Sequence, residues 1–365
     1  MSWYLEGQAQ FQVRQAFFRP QSRIVRDLGV LAAMVHRDRQ GQLRVLDAMA
    51  GSGVRSLRYW VEAKADSLWV NDSDPDLESE LRANLEGAIA SQVAQVTCQD
   101  ANRVFFDCYG RQDYYDFVDV DCFGSALPYL STSLWAVAIH GLLYITSTDI
   151  RTVAGHPPGS SVVTYGAYAR HHPSIHEQGL RIVLGTLHRE AAQKGLGIQP
   201  LFSLFTGQTY RLMVRLLPKP TLSPSTYGFL GYCHRCGSYQ SVDWRDLGRS
   251  HCPHDQHPHS VSGPLWLGEL HHQDFLDAMR DRAQSQDWQK ADTLLHLLSM
   301  EVSLPPFFYT LGEIGRRSGH DIPGRSRLIQ ALQEAGFAAS PTHFNPQALK
   351  TNADLPTCVQ IARHL

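Results

Sequence analysis

The stretch Asp116–Ser125, written DFVDVDCFGS, combines side chains that can do chemistry together. Phe117, Val118 and Val120 predict a short buried strand, with Asp119 and Asp121 alternating along it. The strand breaks at Cys122-Phe123-Gly124. A carboxylate at such a strand end can accept hydrogen bonds from an amine. The ring of Phe123 can stack on a flat group. Gly124 lets the backbone turn and come close to a ligand.

The elements that must position this stretch are strands and helices in alternation. Leu43–Met49 predicts a strand that runs into Ala50-Gly51-Ser52-Gly53 and a helix from Val54 to about Lys64. Strand, glycine loop and helix together open a nucleotide-binding α/β fold, in which Gly51 and Gly53 allow close backbone approach. The loop lacks the full GxGxxG and has no Lys-Ser/Thr, which excludes a P-loop. A second strand, Ser67–Asn71, ends at Asp72, and a third, Gln95–Cys98, ends at Asp100-Ala101-Asn102. With Asp47 and Asp121, acids then stand at successive strand tips along one sheet edge, where such folds bind ligands. Each acid taken alone reads equally as a helix N-cap. With no phosphate cradle and several acids, S-adenosylmethionine suits this edge better than NAD, since its sulfonium is cationic and its ribose needs an acceptor.

Gly141–Thr146 predicts a fifth strand and Ile175–Lys194 a long amphipathic helix. Two further strands, Ile198–Phe205 and Thr209–Leu217, turn at Gly207. A parallel sheet finished by an antiparallel hairpin is the methyltransferase version of the doubly wound fold. At the N-terminus, residues 3–15 predict a hairpin or arm. Phe17-Phe18-Arg19-Pro20 precedes a helix that runs to about His36, and the two rings read either as core or as a stacking surface for a base.

After a linker at Pro218–Pro224 comes Cys233-x-x-Cys236-Gly237, with Cys252 beyond it. Two thiolates on one tight turn suit a tetrahedral zinc ion. A second Cys-x-x-Cys would end at 255, which is Asp255. His257, then His254, then Asp255 is the expected order of fourth ligands, and a metal-free hairpin with free thiols is the alternative. From Gln273 the chain reads helical, with a small helical or winged-helix module around His320–Gly324. Arg316, Arg317, Arg325, Arg327 and Lys350 are its candidate phosphate contacts. The domains expected are 1–220, 221–272 and 273–365.

Hydrophobic residues make up 43% of the 365 and charged residues 19%, ordinary for a globular protein of two or three domains. No long apolar run predicts a membrane span, and the first twenty residues lack a secretory h-region. Seven cysteines, two of them in a Cys-x-x-Cys, favour metal over disulfides and a cytoplasmic location. The net charge is −2, but residues 1–44 carry +4, 45–150 carry −10 and 151–220 carry +6. These blocks either converge as a basic face or average out in space.

Taken together, these residues resemble the tRNA guanine-N2 dimethyltransferases that modify guanine 26. The likeness is carried by Glu6-Gly7, FFRP at Phe17, Arg26-Asp27-Leu28, DAMAGSGVRSLRYW, Asn71-Asp72, Asp100-Ala101-Asn102, DVDCFGS and TSTD at Ser147. SGPLWLGELH from Ser262 and THFNPQALKTNA from Thr342 extend it over nearly the whole chain. The resemblance implies a class I, Rossmann-like methyltransferase with a zinc knuckle and a small α-rich C-terminal domain. Its donor would be S-adenosylmethionine and its partner tRNA, with no obligate protein partner. It places Arg26 at the cofactor pocket, Asp72 on the ribose and Asp100-Ala101 near the adenine. It makes Asp121 catalytic and Phe123 its aromatic partner, with Phe17 as a second wall and Gly124 beside the base. Two departures stand out. Cys122 occupies the family's proline position, which bears on loop rigidity, and the fourth cysteine of the metal motif is absent, which bears on metal affinity. Rival readings are an amino-methyltransferase on another RNA or DNA base, a tRNA-binding protein without catalysis, and, more distantly, a dinucleotide oxidoreductase.

Overall fold

The computed structural model describes residues 2–156, 158–319 and 323–365. The predicted N-terminal arm is an antiparallel hairpin, β1 (Ser2–Glu6) and β2 (Ala9–Val13). A 3-10 turn at Pro20–Ser22 leads into α1 (Arg23–Gln40), with Pro20 at a first position where its missing N–H leaves nothing unsatisfied. Helix α1 stops at Gly41, whose left-handed φ of 80° closes the last turn. Then follow β3 (Arg44–Asp47), α2 (Val54–Val61), β4 (Ser67–Asp72), α3 (Glu78–Asn84), α4 (Glu86–Ala90), β5 (Ala94–Cys98) and α5 (Ala101–Arg111). The chain continues through β6 (Tyr115–Asp121), α6 (Leu127–Leu130), β7 (Val137–Ser147), α7 (Ile150–Val153), α8 (Pro158–Tyr165), α9 (Ile175–Gln193), β8 (Gly197–Phe205) and β9 (Tyr210–Leu217).

Seven of these strands form one sheet in the order β5-β4-β3-β6-β7-β9-β8. The first five run parallel and β9 lies antiparallel to both its neighbours, as the hairpin at Gly207 predicts. One face of the sheet packs on α1 and α2 through Leu28, Leu31 and Leu57. The other packs on α5 and α9 through Phe105, Leu180, Val183 and Leu187. Strand order reverses between β3 and β6, so a crevice opens beyond their carboxyl ends. The glycine loop and Asp121 both meet at that crevice.

Beyond the linker, β10 (Tyr227–Tyr232), β11 (Tyr239–Val242) and β12 (Ser260–Trp266) form a small antiparallel sheet. Helices α10 (Gln273–Ser285) and α11 (Gln289–Glu301) share the apolar cluster of α1 through Phe275, Leu276, Met279 and Leu295. The last unit contains β13 (Tyr309–Thr310), α12 (Leu311–Ser318), α13 (Arg325–Glu334), β14 (Ala339–Pro341), β15 (Ala348–Thr351) and α14 (Leu355–Arg363). It has its own core of Ile314, Leu328, Leu332, Leu349 and Leu355. The predicted turn residues His320–Ile322 lie outside the described residues.

A buried charged junction joins this last unit to the rest. Lys350 Nζ lies 2.6 Å from Glu177 Oε1 of α9 and 4.0 Å from Glu301 Oε2 of α11. Arg181 also pairs with Glu177, at 2.9 Å, and His343 Nδ1 lies 2.7 Å from Glu301 Oε1. Two carboxylates and two cations balance there, with His271 alongside as a third potential ligand atom. The expectation that Lys350 contacts phosphate is therefore corrected: its ammonium is buried and fully engaged. Arg317 is tied to Glu313 and to the carbonyl of Arg235, and Arg325 donates to the Pro346 carbonyl. Arg316, though paired with Glu313, and Arg327 face solvent.

Candidate active site

Three residues lie in a row across the floor of the crevice. Asp121 on β6 is the register partner of Thr146 on β7, and Thr146 is the partner of Arg211 on β9. Arg211 Nη1 donates to Thr146 Oγ1 at 2.6 Å and lies 3.3 Å from Asp121 Oδ1. Arg55, from the first turn of α2, closes the other side, with Nη2 2.6 Å from Asp121 Oδ2. Burial alone would raise the pKa of Asp121. The two guanidiniums outweigh it and hold the carboxyl well below the usual carboxylate range. The side chain keeps 29% of its surface open. It is an ionised acceptor facing a cleft of about 220 Å³, lined by Phe17, Arg19, Arg26, Gly51, Ser52, Arg55, Phe123, Thr148 and Arg211 among others.

Asp119 anchors the other arm of Arg55, at 2.9 Å, and accepts from Tyr59 Oη at 2.6 Å. Asp47 is its register partner on β3 and accepts from Ser56 Oγ at 2.6 Å. Each of the two carboxyls keeps one buried oxygen without a partner among the described residues. Burial raises both above the ordinary carboxylate value, helped by repulsion from Asp119 at Asp47 and from Asp121 at Asp119, which favours a proton on Asp47. The sequence reading expects Asp47 at the cofactor. The structure places it fully buried beneath the glycine loop, outside the cleft lining. The role of Asp119, open in the sequence, is to anchor Arg55.

On the cofactor side, Gly51 and Gly53 have φ of 55° and 76°, a conformation other residues adopt at a cost. A Cβ added at Gly51 would approach nothing nearer than the Phe17 carbonyl at 3.9 Å, so bare backbone opens onto the cleft. The Gly51 N–H donates to Asp72 Oδ2 at 2.8 Å, which ties the loop to the tip of β4. Asp100 caps α5 by accepting from the N–H groups of Asn102 and Arg103, and Ala101 is buried behind it. For Asp100 the capping reading holds, and an exposed carboxylate has lone pairs to spare. Arg26 lines the cleft but is gripped by Glu6, with Nε 2.6 Å from Oε1, and lies 5.0 Å from the Phe18 ring centre. Its carboxylate partner also contacts Arg58, which binds Asp27 at 2.7 Å and Glu62 at 2.9 Å. Sequence reasoning missed this buried network, although Glu6 is the only acid in the hairpin.

The two adjacent phenylalanines divide. Phe18 packs on Tyr4 and Phe11, with ring centres 5.0 and 5.1 Å away. Phe17 is 84% exposed and Phe123 is 98% exposed, both on the cleft. Between Phe123 and the sheet the loop is clamped. The Gly124 N–H donates to Thr148 Oγ1 at 2.7 Å, and the Thr148 N–H returns to the Gly124 carbonyl at 2.8 Å. Ser125 Oγ meets Tyr165 Oη at 2.9 Å. The Cys122 thiol is buried, donates to the Thr146 carbonyl at 2.9 Å, and is pushed up to about 12 by burial. The loop is thus tied by Thr148 and Tyr165 where the proline is missing, and Cys122 is an inert packing group.

The cysteines converge away from this cleft. The sulfurs of Cys233, Cys236 and Cys252 and the carboxylate of Asp255 lie within 4.8 Å of one another. Gly237 follows the first pair with φ 82°, and Gln256 follows Asp255 with φ 58°, so the two turns are alike. The expectation that His257 is the fourth ligand is corrected on this geometry. His257 uses its backbone N–H to hold Asp255 Oδ1 at 3.0 Å, and His254 turns to Asp354 at 3.3 Å. Three thiolates and a carboxylate are a donor set that fits zinc.

The sequence model of the N2,N2-dimethylguanosine tRNA methyltransferase family matches residues 6–363. A tRNA (guanine(26)-N(2))-dimethyltransferase of Thermococcus kodakarensis is 30% identical, over 96% of this chain and 93% of its own. One of Pyrococcus abyssi is 28% identical over 98% of this chain and 97% of its own. The structure of Trm1 from Pyrococcus horikoshii in complex with S-adenosyl-L-methionine superposes with a TM-score of 0.86 at 25% identity, over 99% of both chains. Among the described residues no helix is long and apolar enough to cross a membrane. A sheet of methyltransferase order, a glycine loop at its crevice and an ionised aspartate beside exposed rings agree with that match, and the chain belongs to the N2,N2-dimethylguanosine tRNA methyltransferase family.

Proposed function

We propose that this protein transfers methyl groups from S-adenosylmethionine to the exocyclic N2 amine of a guanine in tRNA, guanine 26 by its relatives' specificity, giving the N2-methyl and N2,N2-dimethyl products. The observation that carries the reading is Asp121, ionised and partly open, set between the glycine loop and two solvent-facing phenylalanines. When bound, the cofactor supplies an electrophilic methyl carbon. The Ala50–Gly53 loop, Asp72 and the Asp100-Ala101 tip are the groups that would hold it, with Arg26 at the cleft.

The guanine amine is a poor nucleophile because its lone pair is delocalised into the ring. Asp121 accepts a hydrogen bond from its N–H and so localises that pair. Asp121 is a weak base, and this suffices, because a cationic exocyclic nitrogen is a far stronger acid than any carboxylic acid. The proton passes from Asp121 to water across its open side. Phe123 and Phe17 receive the two faces of a base drawn out of its stack, which offsets roughly 1–3 kcal/mol per ring.

The cleft shares Arg19, Ser22, Thr209 and Arg211 with a groove of about 380 Å³, which shares Gln21 and Ile24 with a cleft of about 750 Å³ beside Arg23 and Lys290. Arg19 and Arg211 on the groove, with Arg23 and Lys290 beside Asp27 and Asp287 at the far cleft, support contact with a polynucleotide strand rather than a free base. The last unit, from Tyr309 onward, with Arg316 and Arg327, extends that contact, and zinc at Cys233, Cys236, Cys252 and Asp255 braces it. Incubating unmodified tRNA with methyl-labelled cofactor, then digesting to nucleosides, tests the reading. Label in N2-methylguanosine and its dimethyl form is expected. Label in an adenine product, or none, overturns it.

A further inference from the structure

Four arginines line the cleft: Arg19, Arg26, Arg55 and Arg211. Three are already committed. Arg26 grips Glu6, Arg55 bridges Asp119 and Asp121, and Arg19 donates to Gln208. Arg211 differs. It is buried, with 4% of its surface exposed. Its close contacts, to Thr146 and Asp121, all run through Nη1. Nε is buried without a partner, and no hydrogen bond among the described residues uses Nη2. A buried guanidinium with unused donors is costly unless something arrives to accept from it.

The sheet says on which side that acceptor lies. Asp72 and the glycine loop belong to β4 and the end of β3, on one flank of Asp121. Arg211 lies two strands away on the other flank, in register with Thr146 and Asp121. Its guanidinium rests 5.8 Å from the centre of the Tyr144 ring, which limits its swing. An acceptor carboxylate and a donor guanidinium 3.3 Å apart thus present one edge to whatever occupies the base side of the cleft.

Guanine carries N2–H and N1–H donors followed by the O6 acceptor along its Watson–Crick edge. Adenine carries a donor, a lone pair at N1 and no carbonyl. We propose that Arg211 is a specificity-determining residue that donates to O6 of the target guanine while Asp121 accepts from its N2–H. This deepens the reading of the cleft as a guanine-N2 methylation site and rests on it. An adenine in the same pose would set its N1 lone pair against the Asp121 carboxylate and leave Arg211 without an acceptor, and sites built on buried polar groups reject such bases strongly.

The test compares tRNA carrying guanine with tRNA carrying 2-aminopurine at the target position. The analogue keeps the reacting amine and lacks O6 and N1–H. The kcat/KM ratio of guanine to analogue is measured for the wild type, Arg211→Met and Arg211→Lys, with cofactor binding by calorimetry to verify folding. The missing N1–H affects all three enzymes alike. The ratio is expected to narrow by roughly 10- to 100-fold in Arg211→Met, the scale of one charge-assisted hydrogen bond, and less in Arg211→Lys. Equal slowing on both substrates would mean that Arg211 acts only through Asp121, and overturns the proposal. So does a ratio unchanged by either variant. If Arg211→Met does not fold, the Arg211→Lys ratio decides, and a wild type that methylates both substrates equally overturns the proposal unaided. A wild type that transfers no methyl to guanine removes the functional reading instead, and the inference with it.

Discussion

Arg55 holds Asp121 at 2.6 Å with one amino group and Asp119 at 2.9 Å with the other, so a fully buried acid fixes the acid that faces the cleft. At the last residue of β6 the backbone ladder places the Asp121 Cα but not its carboxylate, which is held by Arg55 and Arg211. Catalytic precision at the crevice thus rests on a residue of the first turn of α2.

Replacing Asp121 with alanine is expected to lower tRNA methylation by roughly 10²- to 10⁴-fold. Cofactor affinity should persist, because the glycine loop and Asp72 are untouched. Turnover by labelled methyl transfer and cofactor Kd by calorimetry check the two halves separately. Unchanged turnover would remove Asp121 from the mechanism.

The same carboxyl fixes a pH response. The Asp121 carboxyl is held well below the usual carboxylate range, so it stays ionised as pH falls through 5 and 4. Its contribution to stability is present above the unfolded value and is lost only as pH falls through the lower folded one. Methyl transfer over acid-stable times should therefore show no loss assignable to Asp121 down to about pH 4.

Asp47 behaves in the opposite sense. Its folded value is raised, so the folded state holds a proton that the unfolded state releases. Stability assignable to it declines as pH climbs from about 4 through the raised value, at a scale of about 1 kcal/mol per pH unit. Asp47→Asn, which keeps an oxygen for Ser56, should flatten that decline. Denaturant midpoints at pH 5 and pH 8 provide the measurement, and a parallel fall in both proteins would exclude Asp47 as the source.

The Asp255 position predicts metal behaviour. Asp255→Cys should bind zinc more tightly and Asp255→Ala more weakly, since thiolate is the softer ligand. Competition with a chelator, read as metal per chain and as Tm, ranks the three. A wild type with less than one tenth of a metal per chain after growth in zinc would argue for the metal-free hairpin.

Lys350→Met leaves Glu177 and Glu301 short of a buried cation. A loss of roughly 3–5 kcal/mol is expected, the cost of breaking a buried pair from one side. Phe123→Ala is the control at the other extreme. Its ring is 98% exposed, so stability should change by under about 0.5 kcal/mol while KM for tRNA rises about 5- to 150-fold.

Much of this was legible in the residues. Short apolar runs bounded by turn residues marked all seven strands of the main sheet, because the inner strands are covered by helices on both faces. The position of Asp121 and Phe123 on the cleft was legible because a buried strand that ends in a carboxylate, a ring and a glycine breaks off at the sheet edge. Asp47 was misplaced because an acid at a strand tip looks the same from sequence whether it faces the cleft or Ser56. The residue that joins the three cysteines was misjudged by weighing ligand type over spacing, when the second turn repeats the first and puts position 255 where a cysteine would stand. The Glu6–Arg26–Arg58 network and the Lys350 junction were invisible, since each joins residues far apart in sequence.

Phe17 and Phe123 stand almost wholly in water on the cleft, a wasteful arrangement for a resting protein. Two rings left apart in this way are an unfinished hydrophobic sandwich, and on the proposed function its filling is the target base. The incoming base is then its own stopper. It dries the cleft at the moment it presents the amine, so the activated methyl group is shielded from water only when there is something to methylate.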